Sequence, residues 1–565
     1  MRNLFLGFDA LGRPIQLSPE EQETHMHVIG ATRSGKSKFL EWLTRGLLRN
    51  RQGFCLVDPH GPLYRAVARY AAHHVLDREI ILLNLAEPDP VVGFNPFQRV
   101  EGGDVSVQVD LRIGATLRAW GVKNSDETPT LERTLRLVYT TVIEKDLGLT
   151  QARHLIDFDS REIRAHLIEE LQTELIGTEW RELQALKRKE WRDEVLSTKN
   201  RLCRLLTSQT LARFMGLPGR TLDLRKIMDE GKVLLVNLAA TDRFSSLNAR
   251  VFGALLVNEF FETAKRRTED EFGRHPKPYH LIIDEFHNFV DIDLADMLDQ
   301  VAKRGLYVTL AHQRFAQLDE NMIDALLTNC QIKAVFGGLP FKSAKLMAEE
   351  LHIIDPMKVK VAIYQTKFWP KYERDTVYTK GRSHSNQSAR GRSSGSAQIS
   401  GSGSSQFFEA GDWFSGDDPA GSTTSSHNAS SFHSNDSYLD GESDSESESE
   451  ADIPIFVPVP FKELSNIQTF TVEEQIVTFA QALKHQLQRH CFIKIHQRET
   501  QPMLVPFVED FYTPPHNHRW YIDKLMKQQK ALPAAEVDKL LEQRDAELLE
   551  AATKSDLPDS FVEKD

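Results

Sequence analysis

Residues 28–37 read Val28-Ile29-Gly30-Ala31-Thr32-Arg33-Ser34-Gly35-Lys36-Ser37. An amphipathic run through Phe39, Leu40, Trp42, Leu43, Leu47 and Leu48 follows. An apolar strand, a Gly-x4-Gly-Lys-Ser loop and a helix in this order form a phosphate-binding loop of an α/β sheet. Gly30 and Gly35 let the backbone through Ala31, Thr32, Arg33 and Ser34 aim its N–H groups at a polyphosphate. The helix N-terminus adds partial positive charge. Lys36 can reach the β- and γ-phosphates, and the Ser37 hydroxyl can ligate Mg²⁺.

The rest of the chain supplies strands and helices around this loop. Phe54-Cys55-Leu56-Val57 is a continuous apolar run, as in a strand covered on both faces, and it ends at Asp58-Pro59-His60-Gly61. Asp58 is either a ligand-facing carboxylate at the sheet's carboxyl edge or a turn former before proline. Further strands are expected at Glu79–Asn84, Val233–Leu238, His280–Ile283, Tyr307–Ala311 and Ile332–Phe336. Strands alternating with helices in this way imply a mostly parallel sheet with helices on both faces. Residues 3–17 read as a short hairpin covering an edge of the nucleotide domain. His25 and His27 are either ligands or polar residues flanking the loop strand.

Residues 105–230 change to a helical, charge-mixed pattern and are expected to form an inserted helical subdomain. Its basic cluster (Lys187, Arg188, Lys189, Arg192, Lys199, Arg201, Arg204) is either a nucleic-acid contact or a solvated helix face. Residues 383–450 are rich in Ser, Gly, Asn and Asp and end in alternating Ser and acidic residues. Such a tract buries too little apolar surface to offset its ordering entropy, so disorder is expected. The expected domains are 1–104 and 231–382 as two parts of one core, 105–230 as the insertion, 383–450 as the linker, and 451–565 as a small, flexibly tethered α/β segment with a charged helix.

The formal net charge of −12 is unevenly spread. Residues 383–565 hold 15 basic and 29 acidic side chains, which leaves the remainder of the chain near +2. A near-neutral body excludes neither a basic channel nor a nucleic-acid partner. Four scattered cysteines without a CxxC pair argue against a zinc site or a disulfide framework. No run approaches the roughly 18–20 apolar residues of a membrane span, and the start lacks a signal peptide's apolar core. A cytoplasmic protein is expected, with any membrane contact made through a partner.

Hydrolysis of a nucleoside triphosphate needs a cradle, Mg²⁺, an oriented water and charge neutralisation at the γ-phosphoryl. Residues 30–37 supply the cradle. Asp284, ending an apolar strand, can hold Mg²⁺ through a water, and Glu285 beside it can act as general base. Gln313, at the end of the next strand, is either a γ-phosphate sensor or a loop residue. Arg304 precedes that strand, at the edge opposite the loop. It is either a surface arginine or an arginine finger serving a neighbouring subunit.

The stretches His27–Ser37, Val57-Asp58-Pro59-His60-Gly61, Val92-Gly93-Phe94-Asn95-Pro96, Ile283-Asp284-Glu285-Phe286 and Ala311-His312-Gln313 together resemble the HerA/FtsK superfamily of ring-forming DNA motors. The chain is most similar to the conjugative coupling ATPases (TraG/TraD-type) of type IV secretion systems. The resemblance covers residues 1 to about 370. It implies a RecA-like core, a homo-hexameric ring, ATP with Mg²⁺, and DNA threaded through the pore. By position it gives Lys36, Ser37, Asp284, Glu285, Gln313 and Arg304 the roles above. Membrane-anchored coupling proteins usually begin with transmembrane helices, which this sequence lacks. Three readings follow: a DNA translocase working with relaxase and secretion-channel proteins, a HerA-like motor working with a nuclease, or an ATP-switched adaptor for protein substrates.

Overall fold

The computed structural model describes residues 2–554 except 101, 123–127, 170, 218, 220, 270–274, 291–293, 353, 356–357, 384–394, 403–425 and 434–444. Leu4–Phe8 (β1) and Pro14–Leu17 (β2) pair as an antiparallel hairpin. Its turn is set by Asp9, whose Oδ1 accepts the Leu11 and Arg13 amides at 2.9 and 2.8 Å. Met26–Ile29 (β3), Gly53–Asp58 (β4), Ile80–Asn84 (β5), Val233–Asn237 (β6), Tyr279–Ile283 (β7), Leu306–His312 (β8) and Ile332–Phe336 (β9) follow. These are the apolar runs read from the sequence, and β3, β4, β6, β7, β8 and β9 are buried along their whole length. Burial on both faces is why they lack polar alternation.

The chain leaves the core after Lys358 and returns at Phe470, whose amide donates to the Lys358 carbonyl at 3.0 Å. Residues Val359–Thr469 form a unit of their own. In it Val359–Ser383 (β10) pairs antiparallel with Ser445–Thr469 (β13). Gly395–Ser402 (β11) pairs with Ser426–His433 (β12). These strands include the described residues of the tract expected to be disordered, 383–450; the rest of that tract lies outside the described residues.

The final strands, His490–Ile495 (β14) and Gln501–Leu504 (β15), complete the main sheet. Its order is β2-β1-β15-β14-β9-β3-β8-β7-β4-β6-β5. From β9 to β5 every pairing is parallel, whereas β14, β15, β1 and β2 add on antiparallel. This corrects the expectation of a flexibly tethered C-terminal segment: residues Phe470–Asp565 belong to one compact unit with Met1–Lys358. Sequence periodicity marks a strand without naming its partner, and here Cys491 pairs with Phe336 across the whole intervening unit.

The C-terminal helices also pack on the core. Pro515–Gln528 lies on Pro62–His73, and Gln529 closes the β5 edge by donating to the Ile80 carbonyl (2.9 Å) and accepting from the Leu82 amide (3.2 Å). Helix Ala534–Lys554 is pinned to the insertion by the two-pronged Arg213–Asp538 pair at 2.8 and 2.6 Å. Between 105 and 230 the described regular structure is entirely helical, from Val105–Ala119 to Leu224–Glu230. Its core holds Trp180, fully buried, whose indole donates to Thr141 Oγ1 at 2.9 Å.

Candidate active site

The phosphate loop joins β3 to the helix Lys36–Arg49, as its sequence requires. It is held on both sides by neighbouring strands: the Gly30 amide donates to the His312 carbonyl (3.3 Å) and the Ala31 amide to the Gly337 carbonyl (3.2 Å). A Cβ on Gly30 would sit 2.5 Å from Phe336 Cβ and 2.7 Å from Ser34 Oγ, so only glycine fits. Gly35 has φ +110°, in the region open to glycine. Thr32, Arg33 and Ser37 are exposed along the loop, where a ligand's phosphates would lie.

Lys36 is 5% exposed, and its Nζ lies 2.6 Å from Asp284 Oδ1 and 2.8 Å from Glu285 Oε1. Gln313 Nε2 donates to the same Glu285 oxygen at 2.9 Å, and Gln313 Oε1 accepts the Thr32 hydroxyl at 3.2 Å. The fold thus brings Lys36, Asp284, Glu285, Gln313 and the loop tip into one connected network. Strand order explains it: β8 lies between β3 and β7, so the carboxyl ends of all three face one place.

Charge is divided unequally within this network. Burial pushes the Asp284 carboxyl above its ordinary value, against the pull of Lys36. Burial acts the same way on Glu285, but Lys36 and Gln313 outweigh it and hold that carboxyl below its ordinary value. Burial favours loss of the Lys36 proton, and the two carboxylates overcome it, raising Lys36. Glu285 has φ +48°, a conformation that non-glycine residues adopt at a cost. Its Oε2 is buried with no hydrogen-bond partner among the described residues. His287 Nδ1 stands 3.7 Å from that oxygen, and a buried carboxylate oxygen without a hydrogen bond at the mouth of a phosphate loop suits a group waiting to accept a proton.

Among the described residues no group of three His, Cys, Asp or Glu side chains could hold a metal ion. Mg²⁺ in phosphate sites keeps several waters and takes one or two protein oxygens besides the substrate's phosphates. The exposed Ser37 and the Asp284 carboxylate match that donor set.

Other expected residues fall elsewhere. Arg304 precedes β8 and stands at the opposite end of that strand from Gln313; its Nη1 donates to the Arg267 carbonyl at 3.2 Å. Asp58 accepts the amides of His60 (2.9 Å) and Tyr64 (2.8 Å), so it shapes the turn into the next helix. His25 and His27 are buried structural groups. His25 Nε2 meets the Leu298 carbonyl at 2.9 Å, and His27 stacks on His312 with their Nε2 atoms 2.8 Å apart. In the basic cluster, Arg188 pairs with Asp159, and Lys199 with Asp157 at 3.2 Å. Sequence reasoning missed Arg489, whose amide donates to the Ser34 carbonyl at 3.0 Å. No local pattern marks a turn that touches a loop so distant in the chain.

Residues 278–351 match the family described as the TraM recognition site of TraD and TraG. In this chain those residues run from β7 to the helix Phe341–Leu351 and include Asp284, Glu285 and Gln313. No curated protein matches by sequence. Among solved structures, the bacterial conjugative coupling protein TrwBdeltaN70 in its unbound form is similar at 15% identity and TM-score 0.50, covering 90% of this chain and 91% of that one. A structure of TrwB with ADP and Mg²⁺ is similar at 14% identity and TM-score 0.49, over the same shares. VirB4 of Thermoanaerobacter pseudethanolicus follows at 14% identity and TM-score 0.42, covering 61% of this chain and 87% of that one. Among the described residues no helix is long and apolar enough to cross a membrane. The phosphate loop thus faces paired carboxylates in a fold similar to that of the coupling protein TrwBdeltaN70, and the second half of that site, within residues 278–351, matches the family described as the TraM recognition site of TraD and TraG.

Proposed function

We propose that this protein is an ATP-driven DNA translocase of the coupling-protein kind, acting as a homo-hexameric ring in conjugative transfer. The observation that carries the reading is the Lys36–Asp284–Glu285–Gln313 network at the end of the phosphate loop.

The network suggests how the residues act. Lys36 bonds both carboxylates. Incoming γ-phosphate offers it a stronger partner, and as Lys36 turns away Glu285 is freed to accept a proton from the attacking water. Gln313, bonded to both Glu285 and Thr32, links occupancy of the loop to the position of that base. Ser37 and Asp284 would hold Mg²⁺, which when bound neutralises phosphate charge. Arg304, at the far end of β8, is free of its own site and is proposed to complete a neighbour's. TrwB has been crystallised with ADP and Mg²⁺, which is in keeping with these cofactors.

The test is steady-state ATPase rate with no DNA, single-stranded DNA and double-stranded DNA, with mass in solution measured alongside. DNA-stimulated hydrolysis by an oligomer is expected. Hydrolysis indifferent to both DNA forms would overturn the motor and favour an ATP-switched adaptor. A Lys36→Ala protein that hydrolyses ATP at the parent rate would overturn the site itself.

A further inference from the structure

The carboxylates fix which way a nucleotide must lie. Lys36, Asp284 and Glu285 mark the γ-phosphate end, and they sit on the β8–β7 side of the loop strand β3. The sugar and base of a triphosphate in that cradle therefore leave on the other side, towards β9, β14 and β15. On that side the loop meets the turn before β14. The Arg489 amide donates to the Ser34 carbonyl at 3.0 Å, and a Cβ on Gly35 would lie 2.9 Å from the Arg489 nitrogen. The turn is fixed from behind: the Gly338 amide donates to the Lys484 carbonyl at 2.9 Å, and Gln486 Nε2 to the Val335 carbonyl at 3.1 Å.

The Arg489 guanidinium gives Nε and Nη2 to the Val505 carbonyl at 3.1 and 2.8 Å, and lies 5.6 Å from the centre of the Phe507 ring. Phe507 is 70% exposed and Leu487 is 71% exposed. A held guanidinium and an open aromatic ring thus stand together beside the cradle, with the exposed Leu487 on the same turn as Arg489. We propose that Leu487, Arg489 and Phe507 form the seat for the nucleotide's base, a stacking lip continuous with the phosphate loop. The proposal rests on the reading of residues 30–37 as a triphosphate cradle. The lip offers side-chain faces, and Arg489 has already committed Nε and Nη2. It selects by stacking area: purines over pyrimidines, with adenine and guanine taken alike.

The experiment is calorimetric titration of the full chain with ATP, GTP, CTP and inorganic tripolyphosphate, each with Mg²⁺, for the parent, Phe507→Ala and Phe507→Trp. Truncating so exposed a side chain leaves folding intact. Phe507→Ala is expected to weaken ATP and GTP by about five- to hundredfold and to leave tripolyphosphate unchanged; Phe507→Trp is expected to keep purine affinity. Unchanged ATP affinity in Phe507→Ala would overturn the lip while leaving the cradle standing. So would equal losses of ATP and tripolyphosphate, or a parent that binds CTP as tightly as ATP. A variant that binds ATP normally but loses its oligomer would assign Phe507 to a subunit contact and end the proposal. A parent that binds neither ATP nor tripolyphosphate would overturn the cradle, and the lip with it.

Discussion

The main sheet has two halves built on different principles. From β9 to β5 the strands are parallel, and most are buried along their full length. From β2 to β14 they are antiparallel and alternate between buried and partly exposed residues, as in His490–Ile495. The parallel half carries the phosphate loop, the carboxylates and Gln313 at one edge. The antiparallel half carries no residue of that network, yet its turns hold the loop from the side through Arg489. The difference separates chemistry from support: parallel strands converge several side chains on one edge, while antiparallel strands can be supplied by either terminus.

That separation can be broken by experiment. The largest effect is expected at Arg304, which lies in the parallel half but at the wrong edge for its own nucleotide. As a finger acting on a neighbour's site, Arg304→Ala should lower kcat by about 10³–10⁵ and leave ATP affinity nearly unchanged. Mixing it with Glu285→Gln subunits should restore part of the activity, since one interface then carries both defects and another neither. Full activity of Arg304→Ala in a confirmed oligomer would show that only the carboxyl edge matters. Glu285→Gln itself should bind ATP and lose about 10²–10⁴ in rate; near-parent hydrolysis would move the base elsewhere in the network.

A smaller effect sharpens the other side of the comparison. Ile493 in β14 is fully buried, so Ile493→Ala should cost about 2–5 kcal/mol of stability, read as a lower midpoint in urea. An unchanged midpoint would mean that the antiparallel half is an ornament on a self-sufficient core.

The halves should also differ in acid. Burial pushes His25 and His280, in the parallel half, down to about 4, and His312 down to about 3. These rings stay neutral in the folded protein, while the unfolded chain takes up protons near pH 6.5. Stability should therefore fall as pH drops from about 6.5 towards 4, by up to about 3 kcal/mol for each of His25 and His280. Hydrogen exchange in β3, β7 and β8 at pH 7 and pH 5 measures it; equal protection at both would refute the assignment.

The parallel half was legible in the sequence for a physical reason. A strand covered on both faces must be a short apolar run, and the residues at its carboxyl end are then the ones exposed to a ligand. That logic marked β3, β4, β7 and β8, and it named Lys36, Asp284, Glu285 and Gln313, which the fold brings into one hydrogen-bonded network. It could not decide Asp58, because a turn-forming and a ligand-facing carboxylate look the same until the amides of His60 and Tyr64 are placed. The pairing of β14 with β9 was illegible because alternation is a local signal and the partner lies far along the chain. Arg489 was hidden for the same reason.

The N-terminal hairpin has one consequence for the making of the protein. β1 meets the sheet only through β15, in the pairing of Phe8 with Leu504, and β15 reaches β9 only through β14. On the ribosome, β1 can rest early on the helix Lys36–Arg49, where Trp42 Nε1 donates to the Phe5 carbonyl at 2.9 Å, but its place in the sheet waits for β15 and β14, far along the chain. Until then β9 presents an open apolar edge beside the newly formed phosphate loop, the kind of edge that invites pairing with another nascent chain.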